Sequence, residues 1–292
     1  MNLIVQLILS TLRVSSPLLF AAMGGLVSER SGVINIALEG MMLVGAFGAA
    51  AVALHTGSPE VAALAGAGAG VLLAAIYGLS VITFRANQIV AGAAINMLAA
   101  GVTPFLCKIL YDSAGSSPSL PLEARFHWAP IGFAWVLVLG VAVVIRYTPF
   151  GLWIRFAGEN PQALDSAGVR VNHIRWIAVL TSGALAGLGG ASLSVFLSSS
   201  FSRNMTAGRG YMALAALIFG KWRPIPAALA CLLFGFADAI QTRLQGAVLW
   251  GTEPVPVQFI QILPYVVTIL LLAGFVGKSR APKALGLPFN KG

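Results

Sequence analysis

Two carboxylates, Glu39 and Asp238, fall inside long apolar runs and set the chemical question for this chain. An ionised carboxylate partway across a bilayer costs about 2.5–3.5 kcal/mol on insertion scales, so Glu39 needs a partner, a cavity or a proton. Such a group can carry a proton, act as a general acid or line a polar route. Acid–base catalysis also needs a second titratable group nearby. The histidines do not supply one: His55, His127 and His173 each sit in or beside a polar segment, far from one another in sequence. No HExxH, CxxC or GxSxG pattern occurs. Gly277, Lys278 and Ser279 mimic the end of a phosphate-binding loop. The glycine required five positions earlier is Leu272, however, and Pro282 stands where a phosphate-cradling helix should begin. The residues therefore speak against catalysis by this chain and against a nucleotide site of its own.

The element that must position Glu39 is the stretch SGVINIALEGMMLVGAFGAA, residues 31–50. Asn35 and Glu39 are four apart, so on a regular helix they share a face. They either line a polar translocation route or hold a hinge; alternatively, Glu39 hydrogen-bonds a neighbouring helix such as the one bearing Asn96. The glycines at 32, 40, 45 and 48 also have two readings. One is close helix packing through small residues; the other is a break that turns backbone groups toward a cavity. Asn87, Gln88 and Asn96 give a later span a polar face, and Asp238, Gln241 and Arg243 read as interfacial pairing.

Composition places these elements in a membrane. Hydrophobic residues make up 58% of the 292 and charged residues 9%, whereas soluble domains carry roughly 25% charged. Apolar runs near 20 residues, broken by short polar loops, identify an all-α polytopic membrane protein. Continuous rather than alternating runs argue against a β-barrel. About nine spans are expected, over 3–27, 33–54, 61–84, 89–110, 131–147, 174–198, 211–220, 224–242 and 256–276. The seventh is too short to cross alone and reads as broken or re-entrant. Residues 2–12 read as an interfacial helix or the outer part of the first span, with Arg13 snorkelling or paired. The chain is expected to form one transmembrane domain over 1–292, embedded in lipid.

The net charge of +9 is explained by basic residues at span ends rather than by nucleic-acid binding. Twelve of the 18 Lys and Arg fall on one side of this topology, including Arg30, Arg85, Arg155, Arg223 and the tail. That side is expected to be cytoplasmic, which puts the N-terminus outside and the C-terminus inside. Cys107 and Cys231 lie in apolar runs and read as buried small hydrophobes. No cleavable signal peptide is evident in the first ten residues. The textures of 32–50, 61–84 and 89–102 return at 208–220, 224–242 and 259–271. An odd offset of spans makes this an inverted repeat, a transporter device with the route near the repeat interface.

A polar segment at 148–175 cannot lie in hydrocarbon. Within FGLWIRFAGENPQALDSAGVRVN (150–172), Asn160 is poised as a helix cap before Pro161, and Gly168 ends a short helix. Such a helix either docks into a groove on a soluble partner or is an ordinary structured loop.

Three stretches, SGVINIALEGMMLVGAF (31–47), FAGENPQALDSAGVRV (156–171) and TSGALAGLGGA (181–191), resemble the permease subunits of bacterial ATP-binding-cassette importers. The subfamily serves branched-chain amino acids, simple sugars and nucleosides, and the likeness is strongest to its nucleoside-type permeases. The resemblance implies a complex in the bacterial inner membrane with a second, similar permease, a cytoplasmic ATPase carrying ATP and Mg²⁺, and an extracytoplasmic substrate-binding lipoprotein. No cofactor would sit on this chain. It makes Gly158, Glu159, Asn160, Pro161, Ala163, Leu164, Ala167 and Gly168 the ATPase-coupling segment. It also places the second span along the route, where Asn35, Glu39, Gly40, Phe47 and Asn96 are the candidate pathway residues. The expected activity is inward transport of nucleosides, purine nucleosides in the first place, by alternating access; a monosaccharide or a branched-chain amino acid in place of the nucleoside is the alternative reading. A proton-coupled transporter using Glu39 is a further reading.

Overall fold

A computed structural model describes residues 3–244, 262, 266 and 280–289. Ten α-helices run through the described part: α1 (Leu3–Arg30), α2 (Leu38–Thr56), α3 (Pro59–Gly78), α4 (Gln88–Tyr111), α5 (Ala129–Tyr147), α6 (Pro149–Glu159), α7 (Pro161–Ser166), α8 (Val171–Ser192), α9 (Arg209–Phe219) and α10 (Pro224–Leu244). Short π-helical turns extend α3 over Leu79–Thr83 and α8 over Leu193–Leu197. Among the described residues, seven helices are long and apolar enough to cross a membrane. α9 is the short eighth: at 1.5 Å per residue its 11 residues reach only about 16 Å. The expected span at 256–276, the third member of the second repeat at 259–271 and the Gly277–Lys278–Ser279 motif lie outside the described residues.

The first span is a single helix rather than an interfacial piece followed by a span, although Pro17 lies inside it. Arg13 is paired: its Nη2 donates to the Phe196 carbonyl at 2.9 Å, and the guanidinium sits 4.9 Å from the Phe196 ring centroid. It thereby satisfies a carbonyl in the irregular turn that ends α8.

α1, α2, α3 and α8 form the packed centre. Glycine lets their backbones approach. A Cβ on Gly45 would come 2.5 Å from the Gly187 Cα, and one on Gly66 would come 2.9 Å from the Gly45 carbonyl oxygen. Gly70 and Gly183 face each other in the same way, and Gly190 abuts the Met42 carbonyl. In lipid, where hydrophobic transfer gives little drive for helix association, such close contact supplies the dispersion energy. α4 is held differently. Only Gln88 at its start and the stripe Gly92, Ile95, Asn96, Ala99, Thr103 and Cys107 are buried, while Met97, Phe105 and Ile109 are 77%, 63% and 63% exposed.

At the end where α2 finishes, the His55 face, the loop after α4 zips against the segment after α8. Ser117 N donates to Phe201 O at 3.0 Å, and Arg203 N donates to Gly115 O at 2.7 Å. The opposite end, the Arg30 face, carries α6, α7 and residues 281–289.

Candidate functional site

α1 ends in a Schellman cap. Gly32, at φ +94°, donates from N to the Glu29 carbonyl at 3.0 Å, and Val33 N reaches the Ser28 carbonyl at 3.3 Å. The chain then runs unwound from residue 31 to 37 before α2 begins. Val33, Asn35 and Ala37 have no exposed surface, so this stretch is non-helical backbone buried inside the bundle. Each unsatisfied backbone group there would cost several kcal/mol. Side chains from four helices meet the demand. Ser28 Oγ donates to Val33 O at 2.9 Å, Ile34 N donates to Gln88 Oε1 at 2.8 Å, and the Tyr77 hydroxyl donates to Ile34 O. Asn96 Nδ2 donates to Ile36 O at 2.9 Å, and Arg175 Nε donates to Ser31 O at 3.2 Å.

Glu39 occupies the first turn of α2 and is 8% exposed. Its Oε1 accepts from Gly208 N at 2.8 Å and its Oε2 from Gly210 N at 2.6 Å. The partner is thus the start of α9, rather than the helix bearing Asn96. Gly210 must lack a side chain, because a Cβ would lie 2.5 Å from the Glu39 Cα. Two helix N-termini, those of α2 and α9, converge on one carboxylate, and the positive ends of their dipoles favour it. From this shared point α2 runs to the His55 face. α9 runs the other way, ending where Trp222 Nε1 donates to Glu29 Oε2 at 2.6 Å. That head-to-head arrangement is what inverted halves produce.

Asn96 joins the same cluster. Its Oδ1 accepts from Gly40 N at 2.8 Å, capping α2, and its Nδ2 also donates to the Tyr211 hydroxyl at 2.9 Å. A Cβ on Gly40 would come 2.9 Å from that Oδ1. Glu39, Gly40 and Asn96 are therefore brought together. Asn35 instead faces α8, where Nδ2 donates to Ser182 Oγ at 2.8 Å, and its Oδ1 has no partner among the described residues. Phe47 lies two turns further along α2, edge-on to Phe201 with ring centroids 5.3 Å apart. Tyr211 went unnoticed in the sequence, where it reads as one aromatic in an apolar run. Its ring is 46% exposed beside the open face of α4 while Asn96 pins its hydroxyl.

The segment at 158–168 divides into a base and a face. Asn160 caps α7, accepting from Ala163 N at 3.1 Å, and Pro161 fills the first helical position. Gly168, at φ +83°, closes the helix with N donating to Asp165 O at 2.9 Å. Leu164 is buried, and Gly158 packs against the Arg30 carbonyl with its own oxygen accepting from Ala284 N at 2.8 Å. Those residues anchor the segment. Glu159, Asn160, Gln162, Ala163, Ala167 and Gly168 are exposed, and Pro161 is half-buried.

Comparison with known proteins gives four findings. Residues 7–272 match the family described as branched-chain amino acid transport system / permease component. The chain is 38% identical over 307 residues to the guanosine ABC transporter permease protein NupQ of Bacillus subtilis, covering 97% of this chain and 96% of that protein. It is 36% identical over 300 residues to the nucleoside ABC transporter permease protein NupC of Lactococcus lactis, with 95% and 94% covered. Among solved structures, an inward-facing conformation of a putative metal-chelate type ABC transporter aligns with a TM-score of 0.53. It is 17% identical, with 92% of this chain and 85% of that chain covered, and the likeness is one of fold.

Proposed function

The chain belongs to the branched-chain amino acid transport system permease-component family, and from that premise we propose that it is the permease of an ATP-binding-cassette importer moving nucleosides, purine nucleosides among them. The names of the two relatives support this cargo. The observation that carries the mechanism is the pair of broken helices meeting at Glu39. Two helices that start inside the bundle, the full-length α2 and the short α9, can shift against each other without losing helical hydrogen bonds, as alternating access demands.

In this reading the route runs between this chain and a second, similar but different permease. The exposed face of α4, with Tyr211 and Asn96, borders it, and Glu39, Gly40, Asn35 and Phe47 shape the wall behind. A tyrosine ring held by its hydroxyl suits an uncharged nucleobase, which stacks on aromatic faces. The exposed side of α7 docks into the ATPase, which supplies ATP hydrolysis with Mg²⁺ because this chain carries no nucleotide site. A substrate-binding lipoprotein delivers cargo at the His55 face, taken as the outside of the inner membrane, with the N-terminus outside and the C-terminus inside. A proton relay through Glu39 loses support, since both carboxylate oxygens accept from backbone amides.

The test is uptake by vesicles holding the reconstituted complex. Guanosine should accumulate only with ATP and the binding protein, and unlabelled glucose or leucine should not compete. ATP-driven uptake of labelled glucose or leucine, with no guanosine uptake, would move the cargo to the monosaccharide or branched-chain amino acid reading.

A further inference from the structure

We propose that the Arg30 face holds a binding site for an anionic phospholipid headgroup. A cleft of about 500 Å³ opens there between the ends of α1, α5, α6 and α10. Four guanidinium side chains line it: Arg30, Arg146, Arg155 and Arg223. Among the described residues the ion pairs are Lys108–Asp112 and Arg209–Asp238, so none of the four has a carboxylate partner. Arg30 and Arg155 are half-buried, and Arg155 Nε is fully shielded from solvent without a hydrogen-bond acceptor among the described residues. Arg30 spends its Nε on the Trp222 carbonyl at 2.8 Å. Arg155 and Arg223 lie within electrostatic range of Arg30, and the acid that offsets them there is the exposed Glu159. Two half-buried guanidinium groups flanked by the exposed Arg146 and Arg223 attract an anion that can follow them partly out of water.

The rest of the lining chooses the kind of anion. Ala142 and Ile145 belong to the last turns of span α5, and Ile225, 55% exposed, begins α10. Tyr147 and Trp153, exposed on α5 and α6, mark the headgroup level of a bilayer. The cleft is therefore basic toward water and apolar toward hydrocarbon. A soluble anion would leave the apolar part unused. A phosphodiester carrying acyl chains matches both parts, and basic pockets between spanning helices are where anionic headgroups settle. The site holds whatever the cargo is, since its lining comes from α1, α5, α6 and α10, whereas α4 packs on α2 and α3.

The experiment uses the full chain, purified and stripped of lipid in neutral detergent. Melting temperature is followed as phosphatidylglycerol, phosphatidylethanolamine of the same acyl chains, or inorganic phosphate is added. Native mass spectrometry counts retained lipid. Phosphatidylglycerol should raise the melting temperature saturably and be retained, and the other two should do neither. In the double variant Arg155→Gln/Arg223→Gln its affinity should fall roughly 25-fold, about fivefold per arginine. Arg155→Lys/Arg223→Lys should keep most of it, and Lys108→Gln/Arg125→Gln at the other face should change nothing. If the glutamine variant does not fold, the headgroup comparison on the native chain decides. Equal effects of the two phospholipids overturn the proposal, as does phosphate matching phosphatidylglycerol, which would mean a free-anion site. A double variant that keeps phosphatidylglycerol but loses the ATPase would assign these arginines to protein docking and overturn it too.

Discussion

Replacing Glu39 by Gln changes almost nothing in size and removes one acceptor. In the native chain each carboxylate oxygen takes one amide, Gly208 N at 2.8 Å and Gly210 N at 2.6 Å. A carboxamide has one oxygen, so one of those donors must face an NH₂ group instead. A hydrogen bond to a charged acceptor contributes about 1.5–3 kcal/mol, and a buried donor left without a partner costs about 1–3 kcal/mol. The two figures describe overlapping losses, so the expected destabilisation is about 2–4 kcal/mol. The loss falls on the start of α9, which also gives up the negative charge facing its dipole. Denaturant unfolding of the purified chain measures it, alongside ATP-driven uptake in vesicles. Glu39→Gln should be less stable and transport poorly for that reason. A variant within about 0.5 kcal/mol of the native chain would refute the capping argument. A fully stable variant that cannot transport, with native uptake collapsing when the proton gradient is removed, would restore the proton relay.

Two further substitutions separate docking from packing and the ring from its hydroxyl. Ala163→Arg, on the exposed side of α7, should leave stability within about 0.5 kcal/mol yet abolish ATP-driven uptake and co-purification of the ATPase. Gly158→Trp should fail to fold, because the Arg30 carbonyl occupies the space its side chain needs. A stable Gly158→Trp protein with normal uptake would overturn the division into base and face. Tyr211→Leu should lower nucleoside kcat/KM roughly tenfold through lost stacking, and Tyr211→Phe less than about threefold. Equal losses in the two would point to the Asn96 hydrogen bond rather than the ring.

Local signals were legible in the sequence. Asn160, Pro161 and Gly168 specify α7 because capping chemistry acts within a few residues; they predict a helix over 161–167, and the one found, Pro161–Ser166, ends one residue earlier with Ala167 as its cap. The polar, glycine-rich wedge at 31–50 also announced itself, and both readings of its glycines hold. Gly32 ends α1 and starts the unwound stretch, while Gly45 lets α2 meet α8. The partner of Glu39 was not legible. It consists of two backbone amides about 170 residues away, and a backbone donor leaves no side-chain signature. The same holds for Tyr77 and Gln88, whose partners are the backbone groups of Ile34. Arg175 looked like one more positive charge at a span end. It is buried, bridging the carbonyls of Ser31 and Leu287, and only the tertiary fold brings those together.

The glycine contacts among α2, α3 and α8 have a mechanical consequence. Where backbone touches backbone, no side chain can change rotamer to absorb a displacement, so sliding one of these helices past another meets hard repulsion at once. The three helices must travel as a block. Relative motion is left to elements held by side chains: α4, attached along one stripe, and α9, suspended between Glu39 at one end and Glu29 and Arg30 at the other. A spin-label pair across α2 and α8 should then keep a single distance through the transport cycle, while a pair across α2 and α4 should sample two.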